Sequence, residues 1–131
     1  MTCESPAQTV GFIGAGRVAT GLALSLSGAG YTVVAGASRT EASARRLADR
    51  IPGCMSETDP QAVADVAGMV FITTPDGVIQ TVAEGVRWRA GQRVVHCSGA
   101  LSLAPLEAAT TAGAATGSLH PLQIFGPPET A

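Results

Sequence analysis

The run at residues 9–19 constrains the fold of this chain more than any other feature of its sequence. A short apolar stretch, residues 9–13, precedes the spacing Gly14-x-Gly16-x-x-Ala19 and residues that favour a helix. Gly14 can adopt backbone angles that a side chain would forbid, and Gly16 has no Cβ to keep a ligand from the main chain. Ala19 is small enough to let the helix lie close to the strand. The run therefore predicts a tight strand–turn–helix unit.

The turn in this unit is predicted to bind the pyrophosphate of a dinucleotide. The first amides of a helix lack partners within the helix, and the helix dipole is positive at that end, so both attract an anion. The motif alone is weak, because the chain has 16 glycines, but the strand before it and the helix and second strand after it supply the required context. For Arg17, contact with the pyrophosphate and exposure to water both stay open. The predicted cofactor-binding residues of this unit are Gly14, Ala15, Gly16, Arg17 and Val18.

The composition indicates one globular domain and excludes several kinds of partner. A chain of 131 residues, 46% of them hydrophobic and 14% charged, is suited to one domain with a substantial core. A net charge of −2 and an aromatic content of 4% argue against nucleic-acid binding. Residues 1–8 lack the basic and apolar regions of a secretory signal, and no apolar run is long enough to span a membrane. We therefore expect neither a nucleic-acid nor a membrane partner.

The cysteines and histidines do not form a pattern typical of a disulfide or metal protein. Cys3, Cys54 and Cys97 are odd in number and include no Cys-x-x-Cys pair, which favours reduced thiols in a cytoplasmic protein. With only His96 and His120 to add, the ligands are too few to propose a metal site.

Strand and helix patterns alternate along the whole chain. Apolar runs predict strands at residues 9–13, 31–37, 54–55, 69–73, 93–97 and 114–119, with helices between them. This alternation predicts an α/β fold: a doubly wound parallel sheet of about six strands in the order 3-2-1-4-5-6, with helices on both faces. Right-handed crossovers then bring the loops after strands one, four and five to one edge of the sheet. A single domain is predicted for residues 1–131.

Several polar residues are predicted to begin the helices, and apolar residues to form their buried faces. Ser38 and Glu41 have the spacing of a capping box, and Asp59 precedes a proline at a first helical position. Asp76 and Ser102 are candidate caps for later helices. The faces expected to be buried in the third and fourth helices include Val63, Val66, Ala67, Val78, Ile79, Val82 and Val86.

The end of the second strand indicates which dinucleotide is bound. An NAD-binding domain usually carries Asp or Glu there to bind the ribose hydroxyls, whereas this chain has Ser38-Arg39-Thr40. A guanidinium is a planar fork of donors that matches a 2′-phosphate. We therefore predict NADP(H), with Ser38, Arg39 and Thr40 as cofactor-binding residues. The alternatives are that Ser38 is only a helix cap and that Arg39 is a solvated surface residue.

The loops after strands four and five are predicted to complete the cofactor site. Thr74 and Pro75 are expected to flank the ribose side, and Ser98 and Gly99 to face the nicotinamide. The alternative for each pair is a turn with no ligand.

His120 and Ser98 are the candidate catalytic residues. His120 follows the last strand, and a neutral imidazole can donate or accept a proton near physiological pH; a loop histidine bonded to backbone is the alternative. His96, inside a strand, is expected to be a packed core residue. Cys97 is expected to act as a small hydrophobe, and Trp88 to cover a helix end.

Three stretches, residues 11–18, 94–102 and 117–123, resemble a known group of proteins. They are similar to the N-terminal Rossmann-like domain of a family of two-domain oxidoreductases within the 6-phosphogluconate dehydrogenase-like superfamily. Pyrroline-5-carboxylate reductases, deazaflavin-dependent NADP reductases and prephenate dehydrogenases share the opening strand and glycine loop. The run from His120-Pro121 to Phe125-Gly126-Pro127 is similar to the His-Pro-Met-x-Gly-Pro run of prephenate dehydrogenases.

The resemblance implies an NADP-linked dehydrogenase or reductase that acts on a small carbonyl or imine compound. It also implies a helical C-terminal domain that pairs two subunits and completes the substrate pocket; residues 1–131 do not include it. The superfamily usually takes a catalytic lysine or other acid from that domain, and this chain has no lysine. We therefore expect residues 1–131 alone to be inactive. A non-catalytic redox-sensing or regulatory module is the alternative, and a methyltransferase fits the glycine and proline placement and Arg39 less well.

Overall fold

Strands and helices alternate along residues 9–119, the part of the chain that the computed structural model describes. The strands are β1 (Thr9–Ile13), β2 (Thr32–Ala37), β3 (Met55–Glu57), β4 (Met69–Ile72), β5 (Arg93–His96) and β6 (Ala115–Ser118). The α-helices are α1 (Arg17–Gly28), α2 (Glu41–Arg50), α3 (Pro60–Val66), α4 (Asp76–Gly85) and α5 (Glu107–Thr111), and a 3₁₀ turn, Ala104–Leu106, leads into α5.

All six strands pair in parallel, in the order β3-β2-β1-β4-β5-β6. This is the predicted doubly wound sheet, and the prediction of its strand order is confirmed. The chain leaves every strand at the same edge, which we call the carboxyl edge, and enters every strand at the opposite, amino edge. In such sheets, ligands bind outside the carboxyl ends of the strands, where the strand order reverses. Here that reversal falls between β1 and β4.

Small residues let the helices pack closely on both faces of the sheet. A Cβ built on Gly11 would collide with Val63 Cγ1 of α3, and one on Gly36 would lie 2.6 Å from Leu47 Cδ2 of α2. On the face covered by α1 and α2, the rings of Phe12 and Phe71 stack with centroids 5.3 Å apart. The two glycines therefore fix how close α3 and α2 come to the central strands.

Two predicted buried positions are wrong. Val66 of α3 is 50% exposed and Val78 of α4 is 41% exposed, while Ala64 and Ala83 are buried instead. The buried residues are Val63 and Ala64 in α3 and Ile79 and Ala83 in α4. Val66 and Val78 lie outside these buried faces. The third strand also begins one residue later than predicted, at Met55, and extends to Glu57.

The predicted helix caps are partly correct. Asp59 Oδ1 accepts from Gln61 N at 3.0 Å, as expected for a cap. Ser102 is not the cap, because Leu103 precedes the 3₁₀ turn, although Ser102 Oγ accepts from Ala104 N at 3.2 Å. Asp76 is not a cap, because it is the first helical residue of α4 and Pro75 precedes it.

The amino edge holds a network of side chains that bond to the ends of helices. The buried amide of Gln92 donates from Nε2 to the carbonyls of Ala64 and Ala67, at 2.7 and 2.8 Å, and accepts from Arg89 N at 2.9 Å. The Arg89 guanidinium donates to Ala64 O at 2.8 Å. These contacts satisfy the last carbonyls of α3, which have no partner within the helix.

Two further contacts extend this network. Gln61 Oε1 accepts from Arg87 N at 2.7 Å, which ties α3 to the segment before β5. Trp88, 8% exposed, donates from Nε1 to Ala83 O at 2.9 Å. The prediction that Trp88 covers a helix end is thus confirmed.

Candidate functional site

The Gly14 turn at the carboxyl edge is held by both neighbouring strands. Gly14 N donates to Ala37 O of β2 at 2.7 Å, and Gly14 O accepts from Thr73 Oγ1, just after β4, at 2.9 Å. The φ angle of Gly14 is +110°, and a Cβ there would lie 2.8 Å from Thr73 Oγ1 and 2.9 Å from its carbonyl carbon. Only glycine fits this turn without strain. The contribution of Thr73 was not predicted, although a hydroxyl residue directly after a central strand was its signal.

Gly16 leaves open space at the start of α1. It occupies the N-cap position, no side chain caps the helix, and a Cβ on Gly16 would meet no atom of residues 9–119 within 4 Å. The first helical bond runs from Thr20 N to Gly16 O at 3.0 Å, so the three preceding amides have no acceptor within the helix. Ala15 and Val18 are half-buried, and Arg17 is exposed. Free amides beside open space can hold an anion.

At the end of β2, Thr40 and not Ser38 begins the next helix. Thr40 Oγ1 accepts from Ser43 N at 3.3 Å, whereas Ser38 N donates to Glu57 O of β3 at 3.1 Å. The predicted capping box of Ser38 with Glu41 is therefore wrong, because Ser38 continues the pairing of β2 with β3. Glu41 Oε2 instead accepts from Arg45 Nη2 at 2.6 Å.

This correction leaves two donor groups uncommitted beside α2. Within residues 9–119, neither the Ser38 hydroxyl nor the exposed Arg39 guanidinium has a hydrogen-bond or ion-pair partner. Both lie close in sequence to the N-terminus of α2, where the helix dipole favours negative charge. This corner of the carboxyl edge therefore has the chemistry to bind a phosphate.

Thr74 carries an unsatisfied hydroxyl at the end of β4. Its Oγ1 is buried and has no hydrogen-bond partner among the described residues. The exposed Pro75 follows, and its carbonyl accepts from Val78 N at 2.9 Å in the first turn of α4. A buried hydroxyl without a partner is rare, because desolvating it costs about 1–3 kcal/mol.

His96 organises the loop that leaves β5. The His96 side chain is fully buried, as predicted for a core residue. Its Nδ1 accepts from Ser98 N at 3.1 Å, and its Nε2 lies 2.7 Å from Ser102 O. Ser98 is 4% exposed, and its Oγ accepts from Ala100 N at 3.2 Å, whereas Gly99 is exposed. The backbone of this loop is therefore bonded at both ends to one imidazole.

The thiols of Cys54 and Cys97 are not activated. Burial raises the pKa of each to about 11 from an ordinary value of 9.0. Both pack against the core on the α1 and α2 face, which confirms that Cys97 acts as a small hydrophobe. His120, the other candidate catalytic residue, lies outside the described residues.

Residues 9–119 contain no group of three His, Cys, Asp or Glu side chains arranged to hold a metal ion. No helix in that range combines the length and the hydropathy that a membrane span requires.

The glycine turn, the strand order and the free helix N-terminus define a dinucleotide-binding type of domain. The profile of the Rossmann-like domain family matches residues 2–121, and the chain belongs to that family. No curated protein matches the chain significantly.

Solved structures share this fold at low sequence identity. Prephenate dehydrogenase from A. aeolicus, in complex with hydroxyphenyl propionate and NAD⁺, is 18% identical with a TM-score of 0.71, over 88% of this chain and 42% of that one. Biliverdin reductase from Synechocystis, in complex with biliverdin and NADP⁺, is 23% identical with a TM-score of 0.67, over 88% and 38%. Pyrroline-5-carboxylate reductase from Streptococcus pyogenes is 18% identical with a TM-score of 0.65, over 85% and 40%. This chain thus spans about two-fifths of the length of each, and the likeness shows the shared fold.

Proposed function

We propose that this chain is the NADP(H)-binding domain of an oxidoreductase that acts on a small carbonyl or imine compound. The pyrophosphate would lie on the amides at the start of α1, with Gly14, Ala15, Gly16, Arg17 and Val18 around it. The cofactor supplies hydride chemistry when bound, and the chain supplies binding and orientation. The fit is supported by the open space at Gly16 and by the tight turn at Gly14, which only glycine can form without strain.

The choice of NADP(H) over NAD(H) rests on one observation, the uncommitted Arg39 beside Ser38 at the end of β2. The carboxylate of Glu41, the first residue of α2, is paired with Arg45 and not with Arg39. A 2′-phosphate there would receive charge-assisted bonds from Arg39 and hydroxyl bonds from Ser38 and Thr40. Two of the structures similar in fold have NADP⁺ or NAD⁺ in their complexes.

The rest of the cofactor would extend along the carboxyl edge towards β4 and β5. Thr74 and Pro75 would flank the ribose, and the buried hydroxyl of Thr74 has a donor to offer. Ser98 and Gly99 would border the nicotinamide, and His120 remains the proposed proton donor. A homodimer, a helical C-terminal domain and a cytoplasmic location are further predictions that follow from the family resemblance and the thiols.

A non-catalytic redox-sensing module is a second candidate. It is favoured because polar side chains in the loop after β5 are already hydrogen-bonded within the protein. His96 uses both ring nitrogens in the loop, and the Ser98 hydroxyl accepts from Ala100 N. Turnover of NADPH with any member of a carbonyl and imine panel would decide for the enzyme.

Calorimetric titration with NADPH and NADH tests the cofactor assignment. A charge-assisted bond is worth about 1.5–3 kcal/mol, so Arg39→Ala should weaken NADPH binding by about 10- to 100-fold and leave NADH binding nearly unchanged. Arg50→Ala is the matched control, because it removes the same charge from the far end of α2, about 15 Å along the helix. Equal losses for both nucleotides in Arg39→Ala would contradict the assignment.

A further inference from the structure

The imidazole of His96 bridges the two ends of one loop at the carboxyl edge. A backbone N–H can only donate and a backbone carbonyl can only accept. Since Nδ1 faces Ser98 N and Nε2 faces Ser102 O, Nδ1 carries no proton and Nε2 carries one. One neutral tautomer therefore satisfies both contacts at once.

The backbone of His96 is also held by hydrogen bonds, because His96 belongs to β5. In the sheet register His96 lies between Ile72 of β4 and Ser118 of β6, and its carbonyl accepts from Leu119 N at 2.9 Å. The ring is thus anchored in the sheet and not in a loop. The bond from Ser98 N to His96 Nδ1 therefore fixes Ser98 relative to the sheet.

The segment that His96 holds is otherwise supported mainly by Leu101, which packs against the core. Gly99 and Ala100 are exposed, and the bond that Ser98 Oγ accepts from Ala100 N lies within the segment itself. At the far end, Ser102 Oγ accepts from Ala104 N just before the 3₁₀ turn. The two bonds of the imidazole therefore tie both ends of this segment to β5.

We infer that His96 is a positioning residue for the nicotinamide half of the bound cofactor. This inference rests on the proposed function and adds a role to a residue that touches no ligand itself. By fixing Ser98 and Gly99, His96 shapes the part of the carboxyl edge beyond Thr74, while the pyrophosphate and 2′-phosphate positions lie on α1 and α2. Removing the imidazole should therefore harm the contact with the nicotinamide half and spare the adenosine half.

Two probes separate these halves: NADPH and adenosine 2′,5′-bisphosphate, which lacks the nicotinamide nucleotide. His96→Leu removes both loop bonds, and NADPH should bind about tenfold more weakly while the bisphosphate binds within about twofold of its original affinity. His96→Asn, whose amide oxygen can accept from Ser98 N, should recover most of the NADPH affinity. Equal weakening of both probes, or no weakening of either, would overturn the inference.

The unaltered protein provides a second test that does not depend on a variant that folds. Long-range ¹⁵N NMR should find His96 protonated at Nε2 with Nδ1 as a bare acceptor. The amide signals of Ser98 and Gly99 should shift with NADPH and stay in place with the bisphosphate. A proton on Nδ1 at neutral pH, or unmoved amides with NADPH bound, would also overturn it. If the unaltered protein binds neither probe, the proposed function itself fails.

Discussion

At the amino edge of the sheet, Gln92 and Trp88 bond to the ends of helices, and no buried side-chain nitrogen or oxygen among the described residues there lacks a partner. At the carboxyl edge, the Arg39 guanidinium and the Thr74 hydroxyl have none within residues 9–119. Among the described residues, the buried side chains of one edge are all hydrogen-bonded, whereas at the other edge the buried Thr74 hydroxyl is not.

The two edges are therefore expected to contribute to different properties, the amino edge to stability and the carboxyl edge to binding. Side chains that satisfy helix carbonyls contribute to folding, because a buried carbonyl without a partner costs about 1–3 kcal/mol. A donor without a partner adds no stabilising bond to the folded chain, and an exposed one such as the Arg39 guanidinium is free for a ligand. Substitutions at the amino edge should therefore change the free energy of unfolding alone, and those at the carboxyl edge should change affinity, except where a residue also holds the turn.

Gly14→Ala should have the largest effect, because Gly14 both holds the turn of the folded chain and borders the proposed pyrophosphate position. The positive φ and the contact with the Thr73 backbone should together lower the free energy of unfolding by about 2–4 kcal/mol, and NADPH binding should fall with the distorted turn. Chemical denaturation and calorimetry measure the two effects. Gly28→Ala is the matched control, since a Cβ there meets nothing within 4 Å, and it should be neutral or slightly stabilising.

Gln92→Ala should be next, with a loss of about 2–3 kcal/mol in the free energy of unfolding. It removes the amide that bonds Ala64 O, Ala67 O and Arg89 N. The NADPH affinity of the folded protein should stay the same, which denaturation and titration on one preparation can check. Gln80→Ala, on an exposed face of α4, should change neither quantity; a loss of affinity in Gln92→Ala would break the contrast between the edges.

Thr40→Ala and Ser38→Ala sharpen the contrast within three residues. Thr40 caps α2, so its loss should lower the free energy of unfolding by about 1 kcal/mol. Ser38→Ala should leave stability unchanged and weaken NADPH more than NADH. Denaturation midpoints that fall in Ser38→Ala and not in Thr40→Ala would restore the capping box predicted from the sequence.

The thiols should have the smallest effect near neutral pH, because their contribution to stability changes only at high pH. The folded pKa of Cys54 and Cys97, about 11, lies above the unfolded value of 9.0. The contribution of the two protonated thiols to the free energy of unfolding is complete below pH 9. It is lost as the pH rises towards 11, because the unfolded chain loses its thiol protons first. Denaturation at several pH values should show that the free energy of unfolding declines above pH 9. The double variant Cys54→Ala, Cys97→Ala should abolish this decline. A decline that persists in the double variant belongs to other groups.

Local sequence patterns predicted the sheet and the glycine turn, because strand alternation and the Gly14–Gly16 spacing are set by neighbouring residues. They failed where long-range contacts decide. Ser38 and Thr40 are both good helix caps, and only the bond of Ser38 N with Glu57 O settles which one begins α2. The amino-edge network joins residues 25 to 28 positions apart, and no local pattern marks it. The role of His120 stays a prediction, because that residue lies outside the described part of the chain.

The corner between β2 and α2 has a consequence for how this lineage can diverge. Thr40 caps the helix, and the side chains at positions 38 and 39 make no hydrogen bond or ion pair within residues 9–119. One or two substitutions there could change the preferred nucleotide from NADP(H) to NAD(H) while the protein keeps its melting temperature. Nucleotide preference in such a domain can evolve without a penalty in robustness.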